Sequence, residues 1–120
     1  NGAAVLNADD PLVAKMAELC DGEVIFFSHN EVNPLIEDHL KQGGRAVLVR
    51  GQEIVLKTAR RDEQVLHLPK NPKSTPDSVQ WKSINLAAAI AAAWALGIPF
   101  NIILAGTETF YSSTATQTEA

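Results

Sequence analysis

The sequence predicts an α/β fold: a mostly parallel sheet with flanking helices and an appended antiparallel β-hairpin. Three observations carry this. Before Arg45, short apolar runs alternate with stretches of helical period, separated by short loops. From Arg45 the period shortens to that of strands, and near the C-terminus Asn85–Pro99 is almost pure alanine and large aliphatics. Strand–helix–strand order with short connections is the mark of parallel βαβ units, whose helices cover the sheet.

Each element has its own signal. Ala3–Leu6 is a short apolar run read as a buried strand, and Asp9 or Asp10 can cap a helix that has Pro11 at its first position. Leu12, Val13, Met16, Leu19 and Cys20 follow the helical period, which puts Cys20 on an inner helix face. Asp21 and Gly22 turn the chain into a second apolar strand, Glu23–Ser28. Asn33 and Pro34 start another helix carrying Leu35, Ile36, His39 and Leu40, ended by Gly43 and Gly44. Arg45–Arg50 and Glu53–Lys57 flank Gly51 and Gln52 as a hairpin, and Val65–Leu68 is a third antiparallel candidate after the polar stretch Thr58–Gln64.

Pro69–Ser78 holds three prolines and no large apolar residue, and is expected as a loop. Leu86–Leu96 has no polar residue; alanine is the best helix former, and a helix apolar all round is either buried or spans a membrane. Eleven residues are too few for a bilayer, which needs about 20, so a buried core helix is expected. Ser83 is its expected N-cap, with Asn85 in the first turn where free N–H groups favour polar or anionic ligands. Gly97 and Pro99 end it. Pro99–Gly106 reads as a short helix with Phe110 as an anchor, and 112–120 as a disordered polar tail.

Composition bounds the function. The 120 residues are 46% hydrophobic with a formal net charge of −4, enough for one domain with a real core. No block of like charges recommends nucleic acid or an anionic membrane as partner. One cysteine permits no internal disulfide. The first residues have neither a charged segment nor an apolar signal core, so a cytoplasmic protein is expected. With no initiator Met, the chain reads as a piece of something longer.

The chemistry-bearing residues are few. Asp9 and Asp10 follow a strand, and in open parallel sheets ligands sit beyond the carboxyl ends of strands. Helix capping with solvation fits the pair, and so does a magnesium or general-base role. His29, His39 and His67 are too dispersed for a metal site by spacing. Structural roles are expected for His39 and His67; His29, just after a strand, is the better ligand candidate. The sequence contains no phosphate loop, no dinucleotide-binding glycine motif and no nucleophile elbow.

Four segments, Ala4–Val13, Asn33–Ile36 with Gly43–Val47, Asn85–Ile98 and Leu104–Phe110, together resemble the Mur ligase family, and within it the cyanophycin synthetases. The resemblance runs in order over nearly the whole chain. It implies that residues 1–111 are the later part of a Mur-ligase-like central, ATP-binding domain. Such enzymes join an amino acid to a carboxylate with ATP and magnesium, through an acyl-phosphate that an amine attacks. Cyanophycin synthetases in particular attach arginine to an aspartate polymer.

By the same resemblance Asn85 contacts adenine, and Asn7, Asp9 and Asp10 belong to a recurrent loop near the nucleotide. The implied partners are the missing domains, the aspartate polymer and arginine. An unpaired sheet edge would also let two copies associate. A Mur ligase of peptidoglycan synthesis and a non-catalytic binding module are the alternatives.

Overall fold

The computed structural model describes residues 2–30, 33–59, 63–68 and 76–107. Five strands form one sheet in the order β1-β2-β3-β4-β5: β1 Ala3–Asn7, β2 Glu23–Ser28, β3 Arg45–Arg50, β4 Glu53–Lys57 and β5 Glu63–His67. The β1–β2 and β2–β3 pairs are parallel; β3–β4 and β4–β5 are antiparallel. The predicted hairpin is therefore no appendage. Its first strand, β3, is also the last parallel strand, and one continuous mixed sheet results.

The period of two along each strand decides what covers each face. Val5, Ile25, Phe27, Val47 and Val49 point to one side, where they meet Ile54, Leu56, Leu66 and the helical residues Ala87, Ile90, Ala91 and Ile103. Leu6, Phe26, Ala46 and Leu48 point to the other, against Val13, Ala14, Ala17, Ile36 and Leu40. The first side is covered by α3 (Pro76–Ala95) and by α4, residues 100–107. The second is covered by α1 (Pro11–Lys15), its 3₁₀ continuation Met16–Leu19, and α2 (Pro34–Lys41). Both faces of the parallel part are buried, as crossover helices require.

Three expectations change. The apolar residues Leu12, Met16 and Leu19 face solvent, with Leu19 83% exposed, while Val13, Ala14 and Ala17 face the sheet. The α-helix gives way to a 3₁₀ turn at Met16, so a 3.6-residue period does not carry through to Leu19. Cys20 is not on a helix face at all: it caps that turn, half-buried, and its Sγ donates to the Met16 carbonyl at 3.3 Å.

Second, the alanine-rich helix starts at Pro76, not at Ser83, and absorbs the end of the proline-rich segment. Ser83 is buried inside it. Third, α3 is not buried all round. Ser83, Ala87, Ile90 and Ala91 face the sheet, whereas Asn85, Ala89, Ala92 and Leu96 are exposed. Alanine costs little when exposed, so one face of an alanine helix can meet water without penalty. Among the described residues no helix is long and apolar enough to cross a membrane. Residues 69–75, Phe110 and the 112–120 tail lie outside the described residues.

An ion-pair cluster orients α3 on the sheet. Arg45, at the start of β3, makes a two-pronged bond to Glu23 at the start of β2, 2.7 Å from Nε and 2.5 Å from Nη2. The same guanidinium lies 4.7 Å from the Trp94 ring centroid and donates from Nη1 to the Trp94 carbonyl at 3.3 Å. The Arg45 hydrogen bonds hold the Glu23 carboxyl below its ordinary pKa against the opposing effect of burial. The C-terminal end of α3 is thereby fastened over the amino ends of the strands, and its earlier turns run toward their carboxyl ends. Gly97, at φ 81°, takes the left-handed position that ends α3.

Candidate functional site at the carboxyl ends of β1 and β2

Parallel pairing sets Asn7 beside Phe27 and brings the segments that follow β1 and β2 together. Ala8 continues the ladder by donating its N–H to the Phe27 carbonyl at 2.9 Å. The next residue, Asp9, therefore meets Ser28 and His29. Ser28 Oγ donates to Asp9 Oδ1 at 2.6 Å, and the His29 N–H donates to Asp9 Oδ2 at 2.9 Å. The His29 ring closes on the same oxygen through Nδ1. Asn30 N–H donates to Ser28 Oγ at 2.9 Å, so the buried hydroxyl links both loops.

Burial works to raise the Asp9 pKa. The Ser28 hydroxyl, the His29 N–H and the His29 ring outweigh it and hold the carboxyl below its ordinary value of 3.8. Asp9 is therefore ionised at neutral pH, and an ionised carboxylate only accepts hydrogen bonds. The proton between it and His29 belongs to Nδ1, which leaves Nε2 as the ring's other, accepting nitrogen. The trio is not a serine nucleophile site: Ser28 has no exposed surface and donates to Asp9 rather than to His29.

The neighbouring residues serve the loop itself. Asn7 Oδ1 accepts the Asp9 N–H at 3.0 Å, and Asp10 Oδ1 accepts from Leu12 N–H at 3.0 Å and Val13 N–H at 3.4 Å, capping α1. Pro11 occupies the first position, as the sequence predicts. Asn7, Asp9 and Asp10 thus form one loop, two of whose side chains hold its shape while the third reaches across to β2. Among the described residues no group of three or more His, Cys, Asp or Glu could hold a metal ion. The hydrogen bonds that Asp9 and Asp10 make are those of a loop clasp and a helix cap, so the donor set here does not by itself build a magnesium site.

Asn85 stands apart. It is exposed on the side of α3 opposite Ala87 and Ala91, roughly 14 Å along the axis from Trp94 at 1.5 Å per residue. That places it toward the carboxyl ends of the strands, at the same end of the sheet as Asp9 but across the helix from it. With α3 starting at Pro76, Asn85 is more than two turns inside the helix, and the free N–H groups of the helix N-terminus do not surround it. Any ligand contact it makes comes from its own amide.

The other histidines differ. His39 Nε2 donates to the Val24 carbonyl at 2.8 Å and its ring packs edge-on against Phe26, a structural role. His67, 78% exposed, pairs with Glu53 at 3.2 Å on the far strand.

Comparisons with known proteins follow the same outline. No family model matches the chain. The cyanophycin synthetase of Synechocystis sp. is 38% identical in an alignment of 117 positions that covers 94% of this chain and 13% of that protein. Those of Geminocystis herdmanii and Crocosphaera subtropica are 34% and 35% identical over 113 residues, again across 13% of each. The chain spans only that 13% of the relatives' length. Over more than nine-tenths of its residues, the chain is similar to one segment of cyanophycin synthetases, the group that its sequence motifs resemble.

Proposed function

We propose that this chain is a segment of an ATP-dependent amide ligase of cyanophycin-synthetase type, which adds arginine to a polyaspartate backbone through an acyl-phosphate. The observation that carries the reading is the similarity to three cyanophycin synthetases over 92–94% of the chain. The α/β fold agrees with it, because the chemistry-bearing groups gather at the carboxyl ends of parallel strands, where such sheets bind ligands. ATP and magnesium are the proposed co-substrate and cofactor. Magnesium in such reactions is held by one or two carboxylates together with substrate phosphates, and the Asp9–Asp10 loop would border that site rather than enclose it.

Asn85 has the exposure an adenine contact needs, and its amide can both donate to and accept from the base edge. The 120 residues contain no phosphate loop, so alone they are proposed to be inert; the rest of the enzyme supplies triphosphate binding and the acceptor site. With ATP, magnesium, arginine and an aspartate polymer, the isolated chain should release no phosphate. The complete protein that carries it should release phosphate only when arginine is present. There, Asn85→Ala should raise the KM for ATP about tenfold, the loss of one polar contact of about 1.4 kcal/mol. Turnover by the isolated chain, or none by the complete protein, would overturn the reading.

A further inference from the structure

We infer that His29 is a proton acceptor for the amine substrate, with Nδ1 fixed by Asp9 and Nε2 presented beyond the carboxyl ends of β1 and β2. The inference rests on the ligase reading above and adds a residue to it. Its basis is the pairing of a fixed side and an open side in one ring. Asp9 takes three donors, one from the fully buried Ser28, so the carboxylate that orients the ring is itself immobilised. The Asp9 side chain is 17% exposed while that of His29 is 41% exposed. Among the described histidines, His39 has its Nε2 committed to Val24 and His67 lies on the far strand beside Glu53. Only His29 combines a held Nδ1 with a position at the end of the sheet where ligands bind.

The chemistry matches. Arginine's guanidinium keeps its proton in any protein environment, so the nitrogen that can act as nucleophile is the α-amino group, whose ordinary pKa of about 7.7–8.0 lets it shed a proton near neutral pH. In the step, the amine nitrogen bonds to the acyl carbon and the bond from that carbon to the phosphate oxygen breaks. Phosphate leaves with the electron pair, and one proton on nitrogen passes to Nε2 of His29. The imidazolium so formed faces the Asp9 carboxylate, which stabilises it as an orienting acid residue does in other base dyads. Asp9 is the charged group facing the ring from the β1 loop. Asp10 is turned to the α1 N-terminus, and Glu31 lies outside the described residues.

The test uses the complete protein and the pH profile of arginine-dependent phosphate release. His29→Gln should lower kcat about a hundredfold, the lower end of general-base contributions, leave the KM for ATP unchanged, and abolish the fall in rate on the acid side. Asp9→Asn, which keeps the shape and removes the charge, should move that acid limb to lower pH. His67→Gln should match the parent. If His29→Gln does not fold, the Asp9→Asn shift decides alone. Nitrogen NMR of the 120-residue chain should show the neutral His29 ring protonated on Nδ1; protonation on Nε2 would overturn the proposal. An active protein whose His29→Gln variant keeps both kcat within threefold and the acid limb overturns this inference and spares the ligase reading. A complete protein with no arginine-dependent release overturns both.

Discussion

Replacing Ser28 with alanine tests the Asp9 cluster without touching the residues that would meet a ligand. Ser28 has no exposed surface, and its Oγ makes two bonds that alanine cannot: the donation to Asp9 Oδ1 at 2.6 Å and the acceptance from Asn30 N–H at 2.9 Å. A hydrogen bond to a charged group is worth about 1.5–3 kcal/mol and a neutral one about 0.5–1.5 kcal/mol. One oxygen is too small a deletion for a cavity to add much. The Asn30 N–H lies near solvent and recovers part of its bond from water, so the loss should be about 2–3 kcal/mol at pH 7, read from urea denaturation of the 120-residue chain. The loss should also depend on pH. The folded Asp9 carboxyl lies below its ordinary 3.8, so the stability it confers is fully present above that value and is lost as pH falls through the folded pKa. The Ser28→Ala penalty should therefore shrink as Asp9 is protonated at acid pH. A penalty under about 0.5 kcal/mol at pH 7, the level of an ordinary surface change, would refute the cluster, as would one that does not change with pH.

Gly44→Ala should cost about 2–3 kcal/mol, the upper part of the range for overpacking, because a Cβ there would overlap the His39 ring. That ring cannot retreat without giving up its bond to Val24 and its contact with Phe26. The adjacent Gly43→Ala, strained only by its φ of 93°, should cost about 1 kcal/mol; thermal unfolding that ranks the two variants in the opposite order would refute this packing. A double-mutant cycle of Arg45→Met and Trp94→Leu should show a coupling of about 0.5–1 kcal/mol, as for a partly exposed cation–π pair. Additive losses would mean that the cation–π contact adds nothing to the hold on α3.

Much of the fold was legible because its signals are local. The hairpin needed only the apolar runs on either side of Gly51, and the starts of α1 and α2 needed only Asp10-Pro11 and Asn33-Pro34, caps whose side chains do bond the first-turn N–H groups. The failures are local as well. Pro76 reads as part of the Pro69–Ser78 loop because two other prolines precede it, although Thr75 before it and Asp77 after it are the usual company of a proline at the first helical position. Leu12, Met16 and Leu19 fit a helical period that the backbone abandons at Met16, and periodicity cannot report a change of helix type. The outward face of α3 does not show in the sequence, because alanine reads as apolar yet gains little from burial.

The site was legible by position but not by partner. A strand followed by polar residues marks a carboxyl end, and that rule alone singles out Asp9, Asp10 and His29, whereas Asn7 enters through the family resemblance. What no single-chain pattern contains is the pairing register, which sets Asn7 against Phe27 and so delivers Asp9 to Ser28, nineteen residues away. Ser28 carries no signal of its own in the sequence, being one small polar residue at the end of an apolar strand, and only its buried hydroxyl makes it the link between the two segments. The same register separates the two ends of the molecule by role. At the amino ends, Glu23 and Arg45 are satisfied by each other and by Trp94, and serve to hold α3. At the carboxyl ends, Asp9 is held just as firmly but by a ring half open to solvent. Rigid support beneath an accessible titratable nitrogen is what a reacting group requires, and that contrast favours His29 over the more conspicuous Asp9-Asp10 pair as the residue through which this chain would meet its substrate.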